Sequence, residues 1–542
     1  MRPRVPFRSA ILAGALASGP ALLVLVAGRL LLDAPGLLET VADGTLRYVP
    51  LPAFDAAIGA FGPGAKGALA VVIAVGTVLA GGGLALLVLR IAEPRSIAAT
   101  GAVAAGVVLL VVEAIVLPVA GAGMLGTDAT ADPFALQVPI VVAALAYGMA
   151  LAGLASTWPT QAAAAAAAAM VGAADAGARG APSAETPDTG VPDPSRRTVL
   201  RRGLIALGGL SLVGSFGVVI ARASSAARSA ATTAPEASPG DPFGPTPALT
   251  PVPAFYTVSK NLGSPHVDGS AWRLSVGGLV DHPFSLSLDD LRALPSQEAY
   301  RTLMCISDDI LAGDHYIGNQ RWRGFPVADL LDRAGVSQAA RFVLWDAEDG
   351  YTESLPIEVA RDPGTWIVHE MGGKPLEADH GFPARVLIAD RFGMKGPKWL
   401  RRITLSATDA PGYWEQNGWD ETARERIVSR IDSPHAGDTV PVAAPFPVTG
   451  IAFAGARGIA RVEVSADGGA TWTDARLEDA SAAPLGPLTW VRFRAQTTAP
   501  AAGRSALVVR ATDGQGTLQV EEPTPPLPAG ATGWQHVEVV AG

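Results

Sequence analysis

Cys305 is the only cysteine among the 542 residues of the chain, and it lies in the sequence LMCISDD at residues 303–309. A single cysteine has no partner for an intramolecular disulfide. A free cysteine is most often a small buried hydrophobic residue, whereas a cysteine thiolate among cations is a good ligand for a soft metal. The residues that follow favour the metal ligand, because they are rich in Arg, Lys, His and Trp.

Three basic segments follow Cys305 within residues 253–404. They have the sequences GNQRWRG at 318–324, HGFPAR at 380–385 and KGPKWL at 395–400. In this order and at these spacings, they and the cysteine resemble the sulfite oxidase superfamily, whose members bind a molybdopterin cofactor. The resemblance implies that Cys305 is the thiolate ligand to molybdenum, beside the two sulfur atoms of the pterin dithiolene.

The resemblance also implies a set of cofactor-binding residues. Arg385, Lys395 and Lys398 would donate charge-assisted hydrogen bonds to the cofactor phosphate, and Gly396 would let backbone N–H groups approach that anion. His380 has the family position of a pterin contact. The whole predicted set is Tyr256, Thr257, Asp346, His380, Arg385, Lys395, Gly396, Pro397 and Lys398.

Tyr351 falls where sulfite oxidases place an active-site tyrosine, and its phenol would donate a hydrogen bond to the metal site or to substrate. Ordinary half-buried packing is the alternative. Sulfite oxidases also carry an arginine shortly after the ligating cysteine, where this chain has Asp308 and Asp309. Two acids would repel a sulfite dianion unless Arg321 or Arg391 compensates. The resemblance therefore supports the cofactor well and sulfite poorly.

The elements that must hold these residues are short strands and short helices without a regular βαβ repeat. Residues 272–280 alternate apolar and polar side chains as a half-buried strand does. Residues 341–345 and 386–389 have the pattern of buried strands, and Ser287 has the position of a helix N-cap. This mixture predicts an α+β domain over residues 253–412.

A second, all-β pattern covers residues 424–540. Residues 459–464, 490–495 and 506–511 alternate like strands, and Asp467-Gly468-Gly469 is a turn signal. The pattern predicts a small sandwich. The segment resembles the immunoglobulin-like dimerisation domain that follows the molybdenum domain in sulfite oxidases, which implies a route to a homodimer.

The first part of the chain has the composition of a membrane protein. The chain is 49% hydrophobic and only 17% charged, and its long apolar runs lie before residue 225. About 20 apolar residues cross a bilayer as a helix, so the runs predict four spans within residues 1–158 and a weaker fifth span. Arginines near residues 1–8 and 90–95 place the N-terminus in the cytoplasm. The runs are 9–32, 67–91, 97–125, 134–156 and 203–221.

The segments around the fifth run predict where the second half is located. Residues 159–202 are a low-complexity cytoplasmic linker, in which the alanine run 162–169 favours some helix. The linker ends in SRRTVL at residues 195–200, which resembles a twin-arginine export signal, and a positive-inside flank is the alternative. Residues 203–222 would be a fifth span or the export signal itself. Residues 223–252 would be an extracytoplasmic linker before two extracytoplasmic domains.

All seven histidines follow residue 260. The predicted spans therefore offer no bis-histidine haem site, the chain has no Cys-x-x-Cys-His motif, and one cysteine cannot hold an iron–sulfur cluster. Electrons would have to pass to a separate partner, a cytochrome or a membrane quinone. Glu113 is the one acid in the middle of a span, and it is either functional or paired with a polar group of a neighbouring helix.

The leading hypothesis is a molybdopterin oxidoreductase, anchored in membrane lipid, that transfers an oxygen atom to or from a small substrate outside the cytoplasm. Within that class the alternative is a reductase of sulfoxides or N-oxides. From another class, the alternative is a non-enzymatic surface protein whose β-domain binds a partner. No feature of the sequence indicates nucleic-acid binding.

Overall fold

The computed structural model describes residues 6–32, 36–46, 48–49, 65–91, 96–126, 133–157, 194–230, 241–260, 264–265, 267–311, 316–482 and 484–542. The chain divides into two compact units. One comprises Met1–Val49 and Ala60–Ala226, and the other comprises Pro50–Gly59 and Ala227–Gly542. The described part of the first unit is helical, and the second is rich in strands.

Five helical segments of the first unit are long and apolar enough to cross a membrane, as the apolar runs predict: Phe7–Leu32, Ala68–Arg90, Ile97–Val119, Phe134–Thr157 and Thr198–Ala221. A π-helical turn, Val112–Val116, interrupts the third of them. The helices are α1 (Phe7–Leu32), α2 (Leu37–Leu46), α3 (Ala65–Ile91), α4 (Ile97–Val111), α5 (Pro133–Thr157) and α6 (Pro194–Ala230).

The fifth apolar segment differs from the prediction. Thr198–Ala221 has a mean hydropathy of 2.2, within the range of 2.1 to 2.6 of the other four, so the prediction of a weaker span was wrong. Its Leu, Val and Ile side chains outweigh its glycines. The segment lies inside α6, which begins at Pro194 and therefore crosses the predicted end of the linker at residue 202. The alanine run 162–169 lies outside the described residues.

Small residues bring α1 and α3 close together. A β-carbon on Gly14 of α1 would overlap the carbonyl oxygen of Gly81 in α3. Tyr147 of α5 joins the same contact, because its hydroxyl donates a hydrogen bond to the Gly81 carbonyl at 2.5 Å. Close approach of backbones through small residues is a common way for apolar helices to associate.

Glu113 lies in the π-helical turn and is paired across the bundle. Its Oε2 accepts a hydrogen bond from Nε2 of Gln137 in α5 at 3.3 Å. A π-turn inserts one extra residue and so changes the direction of the side chains around it. Of the two alternatives for Glu113, the structure thus contains the polar partner, and a functional role remains a prediction.

Two sheets form the first part of the second unit. One has the strand order β2-β1-β10-β5-β6, and the other has the order β3-β4-β7-β8 with β9 beside β7. The strands are β1 (Arg273–Gly278), β2 (Phe284–Ser287), β3 (Gln297–Met304), β4 (Ile317–Pro326), β5 (Phe342–Ala347), β6 (Thr352–Pro356), β7 (Trp366–Met371), β8 (Lys374–Pro375), β9 (Arg385–Leu387) and β10 (Leu400–Ser406).

Short helices connect these strands, which gives the predicted α+β mixture. Ser287 caps the first of them as predicted, since its Oγ accepts the N–H of Asp290 at 3.1 Å while Asp290 Oδ2 accepts the N–H of Ser287 at 2.9 Å. Trp345 and Leu330 pack in a core that the first sheet shares with three of the helices. The helices are α7 (Leu288–Arg292), α8 (Val327–Ala334), α9 (Ile357–Ala360) and α10 (Tyr413–Gln416).

The C-terminal part consists of two sheets around one core. Their orders are β11-β13-β17-β16 and β12-β19-β18-β14-β15. Phe493 of the first sheet and Val464 of the second are fully buried in the same cluster, as the all-β pattern predicts. The strands are β11 (Val428–Ser433), β12 (Thr439–Val440), β13 (Phe446–Phe453), β14 (Ile459–Ser465), β15 (Thr473–Asp474), β16 (Arg476–Leu477), β17 (Val491–Thr497), β18 (Gly503–Asp513) and β19 (Gln535–Ala541).

The C-terminal part covers the outer edge of β3, an edge strand of its sheet. The N–H of Thr302 donates to the Leu488 carbonyl at 2.9 Å. The N–H of Trp490 donates to Thr302 Oγ1 at 2.7 Å. An uncovered edge would expose these polar groups, so the β-domain completes the strand that leads to Cys305.

The packing of α1 on α3 gives a first prediction. Gly14→Ala should destabilise the helical unit by about 1–3 kcal/mol, because the new methyl group would overlap the Gly81 carbonyl oxygen. Gly76→Ala in α3 is the matched control, since a β-carbon there has no atom within 4 Å. Thermal unfolding of the full chain in detergent, followed by circular dichroism, checks the difference. Equal stability of the two variants would contradict this contact.

Candidate cofactor site

Cys305 lies where β3 leaves its sheet. The last ladder pair joins Met304 to Ile317, and the N–H of Cys305 donates to the Tyr316 carbonyl at 2.8 Å. The side chain is 8% exposed, and its Sγ lies 3.1 Å from Ser307 Oγ. A position at the end of a paired strand holds a side chain more precisely than a loop does.

Aromatic side chains enclose the thiol. Cys305 packs in one cluster with Phe255, Tyr256 and Tyr316. Phe255 stacks on Tyr256 with ring centroids 5.4 Å apart, and Tyr316 meets Tyr256 edge-on at 6.2 Å. Burial raises the pKa of Tyr256 well above its usual value, the charge of Cys305 raises it further, and Arg385 lowers it. The phenol, the thiol and the guanidinium therefore share one buried electrostatic environment.

Arg385 is a buried cation in β9. It is 5% exposed, its Nη1 donates to the His380 carbonyl at 3.2 Å, and its guanidinium lies 5.5 Å from the centre of the Trp322 ring. Burial lowers its pKa to about 10. Its Nε has no hydrogen-bond partner among the described residues. A buried N–H of a cation is costly to leave unpaired, so this atom fits an anionic ligand.

His380 and Lys398 lie beside this arginine. A β-carbon on Gly381, whose φ is +106°, would lie 3.0 Å from Lys398 Cβ and 3.2 Å from Arg385 Cβ, so glycine brings the two cations together. His380 is buried, with Nε2 3.3 Å from the Val252 carbonyl. Burial lowers its pKa to about 4, and the charges of Arg385 and Lys398 act in the same direction. Arg385, Lys398 and the neutral His380 form one group, called the cationic group below. All three are predicted cofactor-binding residues.

The loop before Lys398 is arranged differently from the prediction. Lys395 Nζ donates to Glu353 Oε1 at 2.7 Å and also to Glu415, so its charge is paired inside the protein and not directed to a phosphate. The N–H of Gly396 donates to the Gly393 carbonyl at 3.1 Å. A β-carbon at Gly396 would overlap the Val386 carbonyl oxygen, which explains the glycine without an anion. The Pro397 carbonyl accepts the N–H of Val386 at 3.0 Å.

The remaining predicted residues, Thr257, Asp346 and Tyr351, lie in three different elements. Thr257 follows Tyr256 and is half-buried. Asp346 is half-buried on β5, in the other sheet, opposite Arg402 of β10. Tyr351 lies in the turn before β6, where its hydroxyl is 2.6 Å from the Met394 carbonyl and 3.2 Å from Glu353 Oε2. The roles assigned to these residues remain predictions.

Arg321 and Arg391, either of which could compensate Asp308 and Asp309, each have an acidic partner. Arg321 is paired with Glu298 at 3.5 Å, where both side chains are substantially exposed. Arg391 is paired with Asp390 at 3.5 Å. Asp308 is fully buried, its N–H donates to the Cys305 carbonyl at 3.1 Å, and its charge raises the pKa of Tyr256.

Sequence reasoning missed the buried acids of this region. Glu353 and Glu415 pair with Lys395. The sequence does contain a signal for Glu353. Tyr351, Glu353 and Leu355 alternate along β6 and the residue before it, so Glu353 is on the same side as two large apolar residues and faces the interior. A third acid, Glu425, has its pKa raised well above the usual value by burial and by Asp390. It lines a small pocket together with Leu303, Ile388, Asp390, Gly455 and Leu488.

The environment of His380 gives a second prediction. Its folded pKa of about 4 lies below its usual value of 6.5, so the folded chain binds fewer protons between these pH values than the unfolded chain does. This histidine therefore lowers stability as pH falls from about 6.5 towards 4, by up to about 3 kcal/mol. Isotope-labelled histidine NMR, assigned with His380→Asn, should find its midpoint near 4.

His435 is the internal control in that spectrum, because its side chain is 76% exposed. A His380 midpoint near 6.5 in the cofactor-free chain would contradict the cationic group. An anion bound at Arg385 and Lys398 should raise the His380 midpoint, because it offsets the two positive charges.

The second unit matches the models of two known protein families. Residues 261–414 match the oxidoreductase molybdopterin binding domain, and residues 423–539 match the Mo-co oxidoreductase dimerisation domain. Mitochondrial sulfite oxidase of Macaca fascicularis is 30% identical over 302 residues, which cover 48% of this chain and 55% of that protein. The chain thus spans about half the length of the sulfite oxidases it matches.

Two further proteins are similar to this chain to different extents. The uncharacterized oxidoreductase YuiH of Bacillus subtilis (strain 168) is 35% identical over 152 residues, which cover 28% of this chain and 74% of that protein. The crystal structure of the sulfane dehydrogenase SoxCD from Paracoccus pantotrophus has 21% identity and a TM-score of 0.45, covering 54% of this chain and 84% of that chain. The family matches support an enzyme and contradict the alternative of a non-enzymatic surface protein. The chain belongs to the sulfite oxidase superfamily of molybdenum-dependent oxidoreductases.

Proposed function

We propose that this chain is a membrane-anchored, extracytoplasmic oxidoreductase that uses a molybdopterin cofactor to transfer an oxygen atom to or from a small substrate. The observation that carries the proposal is the unpaired Nε of buried Arg385, in one electrostatic environment with the Cys305 thiol and Tyr256. A soft sulfur ligand beside a buried, incompletely paired cation is what a metal dithiolene with a phosphate tail requires.

The residues present fit the molybdopterin cofactor in two places, at its metal and at its phosphate. Cys305, held at the end of β3, would be the thiolate ligand to molybdenum, which supplies two-electron redox chemistry when bound. Arg385 and Lys398 would hold the phosphate of the cofactor, and neutral His380 beside them would contact the pterin. Lys395 is paired with Glu353 and Glu415, so it would shape the loop and leave phosphate binding to the other two cations.

The charge near the thiol bears on the substrate. Buried Asp308 lies directly after the Cys305 turn, and its charge acts on Tyr256 beside the thiol. A negative charge in a dry site disfavours a sulfite dianion more than a neutral molecule. The second candidate function, reduction of a neutral sulfoxide or N-oxide, is favoured by this observation.

The proposed location follows from the helical unit. The five apolar helices would anchor the chain with its N-terminus in the cytoplasm, and the arginine pair at the start of α6 would direct twin-arginine export of the folded second unit. Electrons would pass to a separate partner, a cytochrome or a membrane quinone. The C-terminal domain would form a homodimer, as the description of the family that it matches suggests.

A third prediction tests the ligand. Cys305→Ser should reduce the molybdenum content of the purified full chain from stoichiometric to near zero, because a hydroxyl is a poor substitute for a soft thiolate. Elemental analysis and pterin fluorescence measure this. Ser354→Ala, in β6, is a control for a small change at a buried position and should retain the metal. Full metal occupancy in Cys305→Ser would refute the ligand assignment.

A fourth prediction concerns the substrate. The wild-type chain should turn over a neutral sulfoxide with a higher kcat/KM than sulfite, measured with artificial electron donors and acceptors. Asp308→Asn should raise kcat/KM for sulfite by at least about tenfold relative to the sulfoxide, since it removes one buried negative charge near the site. An unchanged ratio would show that Asp308 does not select the substrate.

A further inference from the structure

A buried charged cluster lies next to Tyr351 and has no role in the function proposed above. It contains Glu353 of β6, Lys395 of the turn Gly393–Lys395 and Glu415 of α10, which are nearly inaccessible to solvent. Lys395 Nζ donates to Glu353 Oε1 at 2.7 Å and also to Glu415 Oε1. A β-carbon on Gly412 would lie 2.6 Å from Glu353 Oε1, so the carboxyl group is enclosed on that side too.

The hydrogen bonds around the cluster determine which acid holds a proton. Both Glu415 oxygens accept from N–H donors, since Lys395 donates to Oε1 and the N–H of Gly412 donates to Oε2 at 2.6 Å. Glu353 Oε1 likewise accepts from Lys395 and from the N–H of Ser354 at 2.8 Å. Only Glu353 Oε2 faces a hydroxyl, that of Tyr351 at 3.2 Å, and a hydroxyl can accept as well as donate.

The charges lead to the same assignment. Two carboxylates and one ammonium would leave an uncompensated negative charge inside the protein, which is expensive. Burial raises the pKa of Glu353 to about 8; Lys395 opposes this shift, and the charge of Glu415 supports it. At neutral pH, Glu353 is therefore the acid that retains its proton.

The tyrosine connects this cluster to the thiol. The Tyr351 hydroxyl donates to the Met394 carbonyl at 2.6 Å, in the turn Gly393–Lys395. A β-carbon on Gly393, at the other side of that turn, would lie 3.2 Å from the Tyr256 hydroxyl and 3.4 Å from the Met304 carbonyl. One short turn therefore contacts Tyr351 and the residues that enclose Cys305.

We propose that Glu353 is a positioning residue that sets the direction of the Tyr351 hydrogen bond through its protonation state. Protonated Glu353 donates from Oε2 to the phenol oxygen, and the phenol hydrogen goes to the Met394 carbonyl. When the proton leaves to solvent, ionised Glu353 accepts the phenol hydrogen, and the Met394 carbonyl loses its donor. The inference rests on the proposed function, because it makes Tyr351 an active-site group whose orientation changes with pH.

The groups that face Glu353 and Tyr351 are few. Lys395 and Glu415 contact Glu353, while Asp349 acts on Tyr351 from the turn before it, and Tyr413 packs on the Tyr351 ring at 6.2 Å. Burial raises the pKa of Tyr351 well above its usual value, and Glu353, Glu415 and Asp349 act in the same direction, so the phenol stays protonated throughout the range in which Glu353 titrates.

The test is a pH titration of the full chain without cofactor. In the wild type, the infrared band of a protonated carboxyl group and the NMR signal of the labelled Tyr351 ring should change together, with a midpoint near 8. Glu353→Gln should lose both changes, since an amide donates permanently. Glu358→Gln, at an exposed position of α9, is the matched control and should retain them. A Tyr351 transition that persists in Glu353→Gln would overturn the proposal.

A second variant keeps Glu353 itself and so covers the case in which Glu353→Gln does not fold. Glu415→Gln removes the neighbouring negative charge and should move the Glu353 midpoint to lower pH. A midpoint that stays in place would overturn the assignment of the proton.

The metal-loaded enzyme supplies the remaining test. The pH profile of its kcat should contain a transition with a midpoint near 8. Glu353→Gln should abolish this transition without a comparable change in KM. A chain that binds no molybdenum would refute the proposed function, while the titration of Glu353 would still be observed in the cofactor-free chain. A loaded enzyme without this transition would instead refute the positioning role.

Discussion

The site depends on one electrostatic constraint, the burial of the Arg385 cation. Taking a guanidinium out of water is favourable only when its N–H groups and its charge are compensated. The His380 carbonyl and the Trp322 ring compensate part of it, and Nε remains open. His380 is neutral beside it, and Tyr256 lies close enough to respond to its charge. An anion against the arginine would compensate the charge that these neighbours leave open.

The turn Gly393–Lys395 connects the surroundings of the thiol with the buried acids. Gly393 faces the tyrosine that encloses the thiol, Met394 accepts from Tyr351, and Lys395 is locked between two acids. Because three successive residues contact three different groups, a shift at one of them must move the others. The dense packing of protein interiors makes such coupling unavoidable over short distances.

Local patterns in the sequence predicted much of this fold, but they could not predict contacts between residues that are distant in the sequence. The alternation of residues 272–280 predicted β1, and Ser287 predicted a helix start, since both features depend on neighbours in sequence. The family motifs pointed to Arg385 and Lys398, which the structure brings together. Lys395 belongs to the same motif, yet its partners come from β6 and α10, and only the folded chain reveals that its charge is already paired. The partner of Glu113 was likewise unpredictable, because Gln137 is on another helix.

The cover that Leu488 and Trp490 place over β3 has a consequence for biosynthesis. Synthesis proceeds from the N-terminus, so the strand that ends in Cys305 is made long before the residues that cover its edge. During that interval an unpaired strand edge is open to pairing with other chains, which is a common origin of aggregation. Until the C-terminal domain has been made, the edge of β3 lacks the hydrogen bonds that Leu488 and Trp490 provide in the folded chain. Truncations that remove the C-terminal domain would leave the edge of β3 unpaired and open to aggregation.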